Sequence, residues 1–76
     1  MNKLQAARQA AGLTQQQLAD QTGISLSSLQ KYEREAKDIN SAKLLTLLKI
    51  TIALKCRLED ILTDEEVLHM LAKDKG

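Results

Sequence analysis

The stretch QQQLADQTGISLSSLQKYE, residues 15–33, limits what this 76-residue chain can fold into more than any other part of it. Its periodicity predicts two short helices joined by a tight turn at Gly23. Thr14 is a favourable N-cap, and Gln17 three residues on completes a T-x-x-Q capping box, in which each side chain satisfies a backbone N–H left open at a helix start. Leu18, Ala19 and Thr22 fall on one face of the first helix. Gly23 follows where the chain must reverse, and glycine enters the left-handed region at least steric cost. Ser25 is placed to cap the second helix, whose inward face is Leu29, Tyr32 and Glu33, at spacings of three and four. Ala19 is small where a steeply crossing helix has to come close. The unit reads as a helix-turn-helix.

The rest of the chain supports an all-α domain. There is no Pro, only three Gly, and Tyr32 is the single aromatic residue, so the core has to be aliphatic. Residues 2–11 are expected as a first helix with Leu4, Ala7 and Ala11 on its apolar stripe and Gly12 as its stop. Arg8 lies one turn after Leu4 at the edge of that stripe, and a cation half-buried there needs a partner. Glu33 is in the same position one turn after Leu29, so the two can tie the first helix to the end of the third. After a loop from Arg34 to Asn40, with Ile39 directed into the core, a fourth helix is expected over 41–54. Leu44, Leu47, Leu48 and Thr51 form its inward spacing, with Ile50 and Leu54 extending the buried area. A fifth helix over 57–62 presents Leu58, Ile61 and Leu62. Thr63-Asp64-Glu65-Glu66 reads as a second capping box opening a sixth helix over 64–72, with Val67, Leu68 and Leu71 on one face. Residues 73–76 are expected to fray.

Taken together, Gln15, Leu18-Ala19, Gly23-Ile24-Ser25, Leu29 and Glu33 resemble the helix-turn-helix of the lambda-type phage repressor and Cro family, also called the XRE family. The resemblance extends from Leu4 and Arg8 to Leu54 and the Leu58–Leu62 block. It implies a compact five-helix DNA-binding domain over 1–62, with 63–76 adding a short C-terminal helix and tail. It also implies Arg8–Glu33 pairing, since relatives with Arg and Glu at matching positions make it. With Ala19 and Gly23, these two form the structural residues of the motif. The chain departs from the family in three places. Many relatives have Gly where Glu35 stands and Pro near Ile39, and Lys55 occupies a place usually given to a C-capping Gly or Asn. The loop is about three residues longer than the common pattern and is similar to a subset with Asp-Ile-Asn-x-Ala, here Asp38 to Ala42. A left-handed Lys55 would cost on the order of 1 kcal/mol, so either the helix ends by another geometry or strain is tolerated.

The net charge of +1 conceals a division. Residues 1–57 carry nine Lys/Arg against four Asp/Glu, and residues 58–76 carry two against six. A polyanion would meet the first part and avoid the second. The docking used by this motif brings the N-terminal residues of the third helix into the major groove of double-stranded DNA. The residues directed outward there are Ser25, Leu26, Ser27 and Lys31, the expected base readers. Lys31 suits guanine acceptors, and an exposed Leu26 suits a thymine methyl. Thr14, Gln15, Gln30, Arg34, Lys37 and Lys43 are expected along the DNA backbone. A monomer of this size reads few base pairs, so a homodimer on an inverted repeat is expected, with the C-terminal helix (Val67, Leu68, Leu71, with Leu62) contributing to the contact.

Other chemistry lacks the residues for it. Cys56 is expected in the core, and His69, the sole His, has no metal-ligand constellation around it. No nucleophile–base pair and no Gly-rich phosphate loop can be assembled, so neither an enzyme nor a cofactor is expected. No apolar run approaches the ~20 residues that span a bilayer, no signal segment is evident, and a single Cys suits a reducing interior, which together point to the cytoplasm. With no sensing domain in view, a minimal Cro-type repressor is the first reading. A toxin-neutralising antitoxin that also binds its operator is the second, and an adaptor that uses the fold without DNA is the third.

Overall fold

The computed structural model describes residues 2–74. Among these residues are five α-helices: α1 (Lys3–Ala10), α2 (Gln15–Thr22), α3 (Leu26–Glu33), α4 (Leu44–Leu54) and α5 (Glu65–Asp74). Single 3-10 turns at Ile39–Ser41 and Leu58–Asp60 join the last three, and no strand occurs among the described residues. The core is aliphatic apart from Tyr32. Leu4, Leu18, Leu29, Ile50 and Ile61 are sealed from solvent, and Ala19, Ile39, Leu47, Leu54 and Leu62 close around them.

The starts of α1, α2 and α3 are each explained by a side chain next to them. Asn2 accepts the Gln5 N–H and donates through Nδ2 to the Tyr32 carbonyl at 2.8 Å, so one residue caps α1 and ties it to α3. Thr14 and Gln17 form the reciprocal box that opens α2. Ser25 caps α3 by accepting from the Ser28 N–H. Asp38 accepts the Asn40 N–H and caps the turn at Ile39–Ser41; these bonds hold its carboxyl below the ordinary carboxylate range. Ile39 is thereby seated in the core from the loop, as expected.

Several expectations need correction. The fourth helix begins at Leu44 rather than residue 41, because residues 39–41 take the 3-10 turn and Ala42 and Lys43 are extended. Its buried face is Leu47, Ile50, Thr51 and Leu54, while Leu44 and Leu48 face solvent. The fifth helix is only the turn Leu58–Asp60, anchored by Lys3, whose Nζ donates to the Glu59 and Leu62 carbonyls. The cap of α5 is Asp64, which accepts the Glu66 and Val67 N–H groups. The Thr63 hydroxyl instead accepts from Asn40, whose Oδ1 in turn takes the Thr63 and Asp64 N–H groups. Leu62 is buried, and Leu68 and Leu71 pack half-buried against the core, so most of the expected C-terminal dimer stripe is spent within the chain. Lys73 is helical; of the tail expected to fray, residues 75–76 lie outside the described residues.

Candidate nucleic-acid interface

The site is a helix held rigidly from behind. On the inner side of the α2–turn–α3 unit, Leu18, Ala19 and Thr22 of α2 meet Leu29, Tyr32 and Glu33 of α3, all of them buried. Gly23 takes φ +74°, and a Cβ built there would meet nothing within 4 Å. Backbone conformation, not crowding, is therefore what selects glycine at this turn. The Thr22 hydroxyl completes the corner: it donates to the Leu18 carbonyl at 2.7 Å and accepts the Ile24 N–H at 3.2 Å. Periodicity places Thr22 inward but does not reveal this bond, for which the only signal is a Thr directly before the reversing glycine.

Glu33 and Arg8 meet. Arg8 Nε donates to Glu33 Oε2 at 2.7 Å and its second terminal nitrogen to Oε1 at 3.0 Å, a two-pronged pair between side chains almost wholly removed from water. The remaining arginine nitrogen donates to the Leu13 carbonyl at 2.7 Å, which fixes the α1–α2 corner. The Glu33 hydrogen bond raises the guanidinium pKa above its usual value against the opposing effect of burial, so Arg8 stays charged. Gln15 joins the same carboxylate, its Nε2 donating to Glu33 Oε1 at 3.1 Å. The start of α2, the end of α3 and α1 are thus locked through one carboxylate.

The outer side of α3 is different. Ser27, Gln30, Lys31 and the capping residue Arg34 are exposed, and among the described residues none of their side chains has a protein partner. Two of the expected base readers are more constrained. Leu26, expected to be exposed, is half-buried and packs against the core, because it lies three residues before Leu29 and falls on the same inward row of the helix. The Ser25 hydroxyl serves as the α3 cap and donates to Ser28 Oγ at 2.9 Å, which leaves it only an acceptor position. Gln15, expected on the DNA backbone, is engaged by Glu33. Thr14 is exposed at the start of α2, where its box uses the side chain.

An open cleft runs beside α3, between the Gly23 turn and the first half of α4. Lys37, Lys43 and Lys49 line it together with Ser28 and Ser41. Lys37 also lies over the Tyr32 ring, 5.4 Å from its centroid, a cation–π contact that holds it near α3. Lys43 stands in the extended residue before α4 rather than inside that helix. Lys49 has no role legible in the sequence, since a lone lysine in an apolar helix gives no directional signal. Among the described residues, no group of three His, Cys, Asp or Glu side chains is disposed to hold a metal ion.

A small helical domain with a rigid two-helix corner, a polar outward helix and a row of lysines beside it defines a DNA-binding module. The family model described as helix-turn-helix matches residues 4–61, well over half of the chain, and the protein belongs to that family, in its lambda repressor- and Cro-like (XRE) branch of DNA-binding transcription regulators. The family's domain is a DNA-binding one and not catalytic. Comparison with curated proteins and with solved structures gave no match. No helix among the described residues is long and apolar enough to cross a membrane.

Proposed function

We propose that this protein is a sequence-specific repressor that binds an inverted-repeat operator in double-stranded DNA as a two-fold dimer, with α3 in the major groove. The observation that carries the reading is the contrast between the two sides of α3. Its inner side is fixed by the Glu33–Arg8–Gln15 network, while Ser27, Gln30 and Lys31 project outward with no protein partner among the described residues. Rigid placement from behind is what direct readout needs, because hydrogen bonds to base edges reward only side chains held in register.

In this reading Ser27 and Lys31 contact base edges. Ser25, its proton committed to Ser28, accepts from a base amino group, and Leu26 offers only the part of its side chain left open by the core. Gln30, Arg34, Lys37 and Lys43 follow the phosphates, as do the Thr14 and Gln15 backbone groups at the start of α2. Occlusion of a promoter by the bound dimer supplies repression. Footprinting on the DNA upstream of the protein's own gene tests this. Two symmetric protected half-sites with centres about 34 Å apart are expected. Protection no different from that of random duplex would overturn it.

A further inference from the structure

The outer face of α4 is aliphatic and has no cover among the described residues. Leu44, Leu45, Leu48 and Ile52 are 62, 63, 40 and 74 % exposed. At 3.6 residues per turn they occupy one arc of about 100°. Leu47, Ile50, Thr51 and Leu54 fill a separate arc that faces the core. Scattered surface leucines need no explanation, but four aliphatic residues on one arc of an eleven-residue helix make a contiguous patch of the sort that marks an interface. A second apolar strip is exposed on α5, where Met70 is 64 % and Val67 37 % exposed.

We propose that these two strips are the halves of one self-complementary interface, in which α4 of one copy packs against α5 of a second copy and the two-fold axis repeats the contact. Charge selects this pairing over α4 on α4. The segment from Ile39 to Leu58 carries Lys43, Lys49, Lys55 and Arg57 and no acidic residue, so α4 against its own copy would bring lysines together. The start of α5 carries Asp64, Glu65 and Glu66, all exposed. Lys49 lies one turn from both Leu45 and Ile52 at the edge of the α4 strip. Glu66 lies one turn before Met70 at the edge of the α5 strip. An α4–α5 contact that sets Lys49 against the acidic start of α5, away from Lys73 at the far end of the strip, therefore matches apolar with apolar and basic with acidic, and an isologous dimer makes it twice. The inference deepens the dimeric operator-binding reading but stands on surface chemistry that does not involve α3.

Sedimentation equilibrium of the full chain over a concentration series, without DNA, tests it. The unmodified protein is expected to dimerise. Ile52→Glu, at a site too exposed to disturb folding, is expected to raise the dimer dissociation constant at least thirtyfold with an unchanged melting curve at low concentration. Lys49→Glu and Glu66→Lys are each expected to weaken association several-fold, and the double reversal to restore it. A protein monomeric at every concentration, or an Ile52→Glu variant that still dimerises normally, overturns the proposal. Dissociation by Ile52→Glu with no effect of Glu66→Lys overturns the α5 half and leaves α4 on α4. Base preference at a single half-site, measured on monomer, reports on α3 separately, so failure of the interface and failure of the DNA reading are distinguishable.

Discussion

α3 and α4 lie against the same core, and each is followed closely by a non-glycine residue in the left-handed region, yet they distribute polarity in opposite ways. α3 places a charge inside, Glu33, and polar groups outside; α4 places aliphatic residues on both sides. The inner charge of α3 is stable only because Arg8, Leu13 and Gln15 meet every demand of the ion pair. The outer leucines of α4 are stable in water only at a cost, which a second protein surface would remove. Burial alone does not tell these helices apart. Their outward faces do, and they point to different classes of partner, nucleic acid for α3 and protein for α4.

The largest expected effect lies on the inner faces. Glu33→Ala or Arg8→Ala alone should cost about 3–5 kcal/mol in urea unfolding, because the surviving charge is left buried without its partner. Replacing both by Met or Leu of similar size should cost far less. Ile50→Ala in α4 should lose a comparable ~2–5 kcal/mol by a different route, a cavity, with no partner substitution able to restore it. Should the single charge variants each lose under half a kilocalorie, the pair is solvated in solution and the two inner faces are not alternatives at all.

Next come the outer faces. Lys31→Ala should cost about 1–3 kcal/mol on the operator and relax preference at one base pair. Lys43→Ala should weaken operator and random duplex alike, and reduce the log–log salt slope by about 0.9 for each phosphate it no longer neutralises. Both are read from binding titrations on matched and mutated operators across a salt series. If Lys31→Ala lowers affinity equally for every sequence, α3 grips DNA without reading it, and the difference in outward chemistry carries no specificity.

Smaller again is the effect at the turn ahead of α3. With φ +74° and open space around it, Gly23 should tolerate the bulk of a side chain but not the conformation. Gly23→Val should lose more than about 1 kcal/mol, since a β-branched residue fits this region worst, and Gly23→Ala somewhat less. Equal melting temperatures for all three proteins would show that the corner before α3 is not held left-handed in solution.

The unequal legibility of the two helices in the sequence has the same physical origin. α3 is readable because its apolar positions are few: with Leu29, Tyr32 and Glu33 at three-four spacing between serines, glutamine and lysine, only one face can turn inward. Thr14, Gly23 and Ser25 supply its punctuation, and the unmet charge of Arg8 supplies its cross-link. α4 reads LLTLLKITIAL, apolar on nearly every side, so periodicity does not choose a face, and Leu44 and Leu48, expected inward, lie outward. Its start carries no side-chain cap to mark it, since Lys43 makes none. The 3-10 turn at Leu58–Asp60 cannot be told from a short helix by spacing alone. In the site, Ser27 and Lys31 stand in the open, as their spacing implies. For Ser25 and Gln15, spacing gives an outward direction but is blind to the cap and the buried carboxylate that claim them, whereas Leu26, three residues before Leu29, falls on the inward row that the core fills.

The smallest effect tests what α3 and α4 share. Glu35 follows α3 at φ 62° and Lys55 ends α4 at φ 54°, and behind both the backbone closes in the same way: the Ala36 N–H donates to the Lys31 carbonyl at 2.9 Å and the Cys56 N–H to the Thr51 carbonyl at 3.0 Å. Left-handed backbone costs an L-residue with a Cβ roughly 1–2 kcal/mol. Glycine removes that cost but returns about 0.5–1 kcal/mol through the greater freedom of its unfolded chain. Glu35→Gly and Lys55→Gly should therefore each stabilise the domain by about 0.5–1 kcal/mol. For a domain of this size that is a rise of several degrees in Tm, given roughly 4–8 °C per kcal/mol. Both side chains are exposed and have no hydrogen-bond partner among the described residues, so nothing visible offsets the gain. A calorimetric scan of each variant decides it. Equal rises would make the two helix ends physically equivalent. A rise at Lys55 with none at Glu35 would mean that the α3 exit relaxes out of the left-handed region, and that the loop leading to Lys37 and the cleft takes another path in solution.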